Sequence, residues 1–306
     1  MKLYYIIFIN VRWFFLFVFM LSLISFSEAQ VSKNNKLRSI VIDPGHGGKD
    51  PGTMGTKRYD KYEKDIALSV GLVLGKYISK SFPDIDIVYT RDKDVFVELN
   101  ERTKIANNAK ADLFISIHCD GFTNSEAYGA SVFVMGMSKL KANLDVAMRE
   151  NSAIYLEDNY QQRYDGFDPN SIESYIVFNV MQNTYLEQSL QFAESIDLEF
   201  STRANRKSRG VKQAPFYVIS RTNMPSVLIE CGFLTNPDEE DFLQSDIGQE
   251  YMASAIFRAF RSYKESVENV DNLSEEYHEI NDVQLKEVER KKYEGPIFKV
   301  QIGTFL

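Results

Sequence analysis

Three histidines stand in this 306-residue sequence. His46 lies inside Asp43-Pro44-Gly45-His46-Gly47-Gly48, His118 follows the apolar run Asp112 to Ile117, and His278 sits in a charged stretch toward the C-terminus. Two histidines and one carboxylate, with a fourth position left to water, form a recurring ligand set of catalytic zinc. Glu63 is the carboxylate that could complete it, because it opens a long helical pattern just after the loop that His46 begins. Spacing alone leaves other readings open. Acidic residues favour helix N-termini for the dipole, His46 also reads as a surface residue of a tight glycine turn, and His118 as a hydrogen-bonded core histidine.

Glu230 is the sharpest single signal. It continues the apolar run Val227-Leu228-Ile229 into Cys231-Gly232-Phe233. A carboxylate in a buried strand is costly unless it is paired or functional. Paired, it would need a buried cation such as Arg91 or Arg221. Functional, it suits a base beside a metal that takes a proton from water and hands it to a leaving nitrogen.

The elements that must position these residues are legible as patterns. Ser39 to Asp43 reads as a buried strand stopped by Pro44-Gly45. Ile66, Val70, Val73 and Tyr77 recur at helical spacing, so a helix is expected over Glu63 to Ser81. Further strands are expected at Asp86–Thr90, Asp112–Ile117, Ala130–Gly136, Phe216–Ser220 and Ser226–Cys231. Further helices are expected at Glu98–Ala109, Leu140–Glu157, Ser171–Arg203 and Asp246–Val267. Strands alternating with helices imply an α/β fold, a sheet with helices on both faces. In such sheets sites gather at the carboxyl ends of strands, where His46, His118 and Glu230 all fall.

Composition bounds the rest. The chain is 44% hydrophobic with a formal charge of −8, which disfavours a nucleic-acid partner. Lys2 and Arg12 precede the apolar stretch Trp13 to Phe26, and Ser27-Glu28-Ala29 supplies small residues where a signal peptidase reads. Residues 1–29 are therefore expected to be a secretory signal peptide, with an uncleaved anchor as the alternative, and the protein to be periplasmic or secreted. Cys119 and Cys231 are too few for a disulfide framework. They read as buried strand packing, with a bond between them the alternative. Residues 267–295 read as a polar linker.

Four ordered blocks resemble the zinc-dependent N-acetylmuramoyl-L-alanine amidases, the catalytic domain called amidase type 3. They are Ile40 to Thr53, Tyr62 to Leu68, Ala111 to Asp120 and Pro225 to Asn236. Thr90-Arg91-Asp92, Asn100-Glu101-Arg102 and Arg209-Gly210-Val211 fit as well. The resemblance spans about Arg38 to Lys264, within a catalytic domain taken as residues 38–266. It implies a mixed, mostly parallel sheet, one Zn2+ ion held by His46, Glu63 and His118, and Glu230 as the catalytic glutamate. It implies peptidoglycan as substrate, cut between N-acetylmuramic acid and L-alanine in cell-wall remodelling or daughter-cell separation. Cys119 and Asp120 depart from the small residue and asparagine common in the family.

Residues 138–203 are long for a connection between strands and are expected as a helical insert. In some members of the family that the chain resembles, a helix inserted here covers the metal until a protein activator displaces it. Glu150, Glu157, Asp158 and Glu173 are candidates to fill the open position, a solvated helix charge being the default reading of each. Residues 296–306 resemble the start of a shortened peptidoglycan-binding SPOR module. Two other function classes stay open at this point: an inactive wall-binding protein on the same fold, and a zinc carboxypeptidase or deacetylase.

Overall fold

The computed structural model describes residues 36–137, 141–176 and 184–290. The segments expected to be the signal peptide and the SPOR-like start lie outside them. Six strands form one sheet in the order β2-β1-β3-β6-β4-β5. They are β1 (Ser39–Pro44), β2 (Asp86–Tyr89), β3 (Leu113–Asp120), β4 (Ala130–Met135), β5 (Ser208–Ala214) and β6 (Ser226–Phe233). Neighbouring strands run parallel except at the β4–β6 pair, which is antiparallel. The sheet is thus mixed and mostly parallel, as expected.

Both faces are covered, which is why β3 and β6 are buried along their whole length. On one face pack α1 (Glu63–Ser81), α5 (Leu186–Thr202) and α8 (Asp246–Arg290). The buried stripe of α1 is Ile66, Val70, Leu74 and Ile78, one residue per turn. Its start is fixed by the Asp65 carboxylate, which accepts the Tyr62 amide at 2.9 Å. The other face is covered by α2 (Leu99–Asn108), α3 (Lys141–Asn151), a tight helical turn Ser152–Leu156, the short α4 (Tyr160–Arg163) and the short α6 (Tyr217–Ser220). A further short helix, α7 (Pro237–Gln244), follows β6 and is capped by Asn236, whose side chain accepts the amides of Asp238 and Glu239.

Two expectations are corrected. The run Phe216–Ser220 was expected as a strand and instead forms α6. Its apolar residues face the sheet, with the Phe216 ring edge-on to Phe133, and a short apolar run does not by itself separate strand from helix. The strand not expected is β5, Ser208–Ala214, a half-exposed edge with too few apolar residues to declare itself. The last helix also runs past Val267 to Arg290, across the segment expected as a linker. No glycine or proline interrupts the sequence between Gly248 and Gly295, so nothing there breaks a helix. Of the expected helix Ser171–Arg203, the described part is a turn at Ile172–Tyr175 and α5. Among the described residues no helix is long and apolar enough to cross a membrane.

Candidate metal centre and active site

His46, Glu63 and His118 come from three different elements and meet at the carboxyl edge of β1 and β3. His46 follows the end of β1 and holds a left-handed backbone at φ +59°. A non-glycine residue in that region is strained, and such strain concentrates at functional sites. Two buried arginines secure the loop. Arg102 donates to the carbonyls of Pro44 and His46 at 2.8 and 2.6 Å. Arg91 donates to those of Pro44, Gly45 and Lys64 at 2.9, 2.6 and 2.7 Å. Asp43 anchors Arg102 at 2.8 Å and also accepts Thr90 and Ser116 hydroxyls. Burial alone would raise its pKa, but Arg102 and these hydrogen bonds hold it below the usual value.

Glu63 opens α1, so its carboxylate reaches the same edge. Its Oε2 accepts the Thr53 amide at 2.8 Å and its Oε1 the Cys119 amide at 2.9 Å. Two glycines make room. A Cβ on Gly45 would lie 2.3 Å from the His118 ring, and one on Gly52, at φ +66°, would lie 2.6 Å from Glu63 Oε2. The His46 Nδ1 is hydrogen-bonded to Asp50 at 2.8 Å, which turns Nε2 inward, as metal-bound imidazoles are commonly oriented.

A fourth donor joins these three. Glu150, near the end of α3, places Oε2 3.1 Å from His46 Nε2 and 3.2 Å from His118 Nδ1. Glu63 Oε1 lies 3.0 and 3.1 Å from the same two nitrogens, which are 3.1 Å from each other. Ligands arranged tetrahedrally about a zinc ion at ~2.0–2.1 Å stand about 3.3 Å apart. The four donor atoms therefore cluster much as they would around one small cation. Glu150 Oε2 is buried and makes no well-formed hydrogen bond despite its two close nitrogens. The two imidazole nitrogens also face one another at 3.1 Å, both crowded by the same two carboxylate oxygens. Both features fit a metal better than a proton network. Metal-free, burial alone would lower both imidazole pKa values, yet both are raised, His46 chiefly by the Glu63 carboxylate and His118 chiefly by the neighbouring Glu150 and Glu63 carboxylates. Burial works to raise the Glu63 pKa, but His46 leads the interactions that bring it down to about 2.

Glu230 stands beside this cluster. It is the register partner of His118 across β3 and β6, is 1% exposed, and neither carboxylate oxygen has a hydrogen-bond partner. Burial first, then Asp120, Glu150 and Glu63, push its pKa well above the ordinary carboxylate value. Neither expected cation pairs with it: Arg91 is committed to the His46 loop, and Arg221 lies over the Tyr217 ring. The cation nearest among its ion contacts is Arg149, with Nη2 at 3.9 Å. A buried carboxylate whose oxygens have no hydrogen-bond partner and whose pKa is raised suits proton transfer.

Sequence reasoning had Glu150 among its candidates but defaulted to a solvated charge, and it missed Arg149 and Asp50. Glu157 is also buried, but its carboxylate accepts the Tyr164 hydroxyl and the Leu99 amide instead. Asp158 and Glu173 are exposed. His278 falls in α8, among residues whose side chains are not described. Cys119 and Cys231 are both fully buried free thiols. A cleft of about 270 Å3 runs along the seam between α3 and the loop, lined by His46, Thr53, Glu63, Arg149 and Leu156.

Known proteins share this arrangement of elements. Residues 40–262 match the N-acetylmuramoyl-L-alanine amidase family. The chain is 34% identical over 233 residues to N-acetylmuramoyl-L-alanine amidase AmiA of Escherichia coli, covering 75% of this chain and 77% of that one. Among solved structures, an N-acetylmuramoyl-L-alanine amidase of Clostridium difficile 630 aligns over 76% of this chain and 98% of its own, at a TM-score of 0.57 and 27% identity. The CwlD amidase of Clostridioides difficile, solved in complex with the GerS lipoprotein, aligns at a TM-score of 0.54 and 26% identity, over 74% of this chain and 98% of its own. With residues 40–262 inside that match and the four resembling blocks on β1, β3, β6 and the start of α1, which together build the site, the chain belongs to the N-acetylmuramoyl-L-alanine amidase family.

Proposed function

We propose that the chain is a zinc hydrolase that cuts the amide between N-acetylmuramic acid and L-alanine in peptidoglycan, held closed at rest by its own α3. The cluster of His46, Glu63, His118 and Glu150 carries this reading. His46, Glu63 and His118 would hold the metal, and Glu150 would take the place that water needs in a working site. When bound, zinc would supply an acidified water and a stabilised carbonyl oxygen. Glu230 takes the proton from the attacking water and delivers it to the departing nitrogen. Its raised pKa suits both steps, since it binds a proton more readily than an ordinary carboxylate. Asp50 holds the His46 ring in the tautomer that leaves Nε2 free to bind.

Closure involves two consecutive residues of α3. Glu150 enters the metal cluster, and Arg149 bonds Asp120 and the Gly121 carbonyl at 2.7 and 2.8 Å. Opening the site therefore requires α3 to leave, and a protein partner acting on the insert would supply the driving force. The GerS complex of CwlD is a precedent for an amidase of this fold with a protein partner. The substrate lies outside the cytoplasm, where the signal-like N-terminal segment would send the chain.

The test is product analysis by mass. Purified peptidoglycan is incubated with the Glu150→Ala protein, with and without a chelator. Metal-dependent release of intact stem peptides with free L-alanyl amino termini supports the reading. Released D-alanine or acetate would move it to a carboxypeptidase or deacetylase.

A further inference from the structure

Arg149 and Glu150 together offer two chemically opposite groups to the site. Glu150 places an acceptor oxygen at the metal cluster. Arg149 places a donor nitrogen on the other side: Nη2 is 2.7 Å from Asp120 Oδ1 and 3.9 Å from Glu230 Oε1, while Nη1 is 2.8 Å from the Gly121 carbonyl. A scissile amide carries the same pair in the same order. Its carbonyl oxygen must face the metal, and its nitrogen must face the group that protonates it.

We infer that Asp120, with the Gly121 carbonyl, forms the receiving site for the leaving nitrogen, and that Arg149 occupies it at rest as a stand-in for the substrate. This rests on the amidase reading above. Asp120 is built for it. The side chain is buried, and its Oδ1 is fixed by the Gly121 amide at 2.8 Å.

The charge changes of the reaction favour a carboxylate here. Hydrolysis breaks the carbon–nitrogen bond and adds the water oxygen to the carbonyl carbon. Both water hydrogens end on nitrogen at neutral pH, so the lactyl group leaves as a carboxylate and L-alanine as an ammonium. The bound amide offers one N–H, which Asp120 Oδ1 accepts. The product ammonium offers three, matched by Asp120, the Gly121 carbonyl and Glu230. Charge-assisted hydrogen bonds are roughly twice as strong as neutral ones, so Asp120 holds the nitrogen more firmly as it gains charge. Asparagine at this position would supply an acceptor without the charge.

The experiment uses the full metal-loaded chain carrying Arg149→Gln and Glu150→Gln, which remove the two charges that α3 brings to the site but keep their bulk. Calorimetry reads the binding of a stem-peptide fragment beginning with L-alanine, with its amino terminus either free or acetylated. The free amine is expected to bind about tenfold tighter, and Asp120→Asn in the same background to erase that preference. Equal binding of the two peptides, or a preference that survives Asp120→Asn, overturns the inference. Cleavage of peptidoglycan by the same protein is read in parallel. Cleavage without the preference sinks this subsite alone, and no cleavage with metal bound, by this protein and by Glu150→Ala alike, sinks the amidase reading. Should the double variant fail to fold, hydrogen exchange on the wild-type chain tests the same point. Excess free-amine peptide should speed exchange across 141–157 and the acetylated peptide should not, and equal effects would overturn the inference.

Discussion

His118 on β3 and Glu230 on β6 are direct register partners in adjacent parallel strands. Opposed residues on neighbouring strands point to the same face of a sheet. A proposed metal ligand and the proposed proton carrier are therefore fixed to one another by backbone hydrogen bonding rather than by loop conformation. A one-residue slip would turn Glu230 to the opposite face.

Glu150→Ala should raise activity. The change removes the oxygen proposed to occupy the fourth position of a bound zinc and leaves His46, Glu63 and His118 in place. Basal release of stem peptides is expected to rise at least about tenfold, a difference of ~1.4 kcal/mol in favour of the open site. Dye-labelled peptidoglycan would report it, and unchanged release would argue that α3 does not close the site.

Gly45→Ala should cost the protein its metal. The new methyl would sit 2.3 Å from the His118 ring, so the ring must swing away from the cluster. Metal content by elemental analysis is expected to fall well below one ion per chain. Overpacking of this kind typically costs about 1–3 kcal/mol in addition. A variant that keeps full metal content would contradict the role given to this contact.

Arg102→Met should destabilise the whole domain. It leaves the buried Asp43 carboxylate without its cation and frees the His46 carbonyl. Breaking one partner of a buried pair costs about 3–5 kcal/mol. Urea unfolding should show the midpoint falling with the slope unchanged, and a loss under ~1 kcal/mol would mean the clamp contributes little.

The metal-free protein should lose stability as pH rises. The folded pKa values of His46 and His118 are raised above 6.5. Their contribution is fully present below that value and is lost as pH climbs through the raised ones. Glu230 and Asp120, also raised, act in the same direction. Melting temperature after chelation should therefore fall as pH rises above about 6.5, while metal-loaded protein, whose imidazoles would already have released their protons, should be less affected. A chelated protein that grows more stable over this range would contradict the electrostatics of the cluster.

Much of this site was legible in the sequence because its parts sit on strongly patterned elements. The start of α1 at Glu63 could be read from helical spacing, and the burial of Glu230 from the apolar run before it. Glu150 was harder, because a glutamate on a polar helix usually faces solvent, and only the docking of α3 turns it inward. Strand β5 was missed because Ser208–Ala214 is a half-exposed edge, held by its ladder to β4 rather than by an apolar pattern. The apolar Phe216–Ser220 was misread because burial alone does not set backbone conformation. Arg91 and Arg102 belonged to short stretches that resembled the family, but their role as clamps on three loop carbonyls required the structure.

The most direct test of the division of labour is Glu230→Gln in the Glu150→Ala background, measuring bound metal and stem-peptide release on the same sample. Metal should stay at the level of the parent while release falls about 100- to 10,000-fold, the usual loss when a positioned acid–base group is removed. Full activity with metal retained would contradict the assignment of Glu230. Loss of metal together with activity would place Glu230 among the groups that hold the ion rather than those that move the proton.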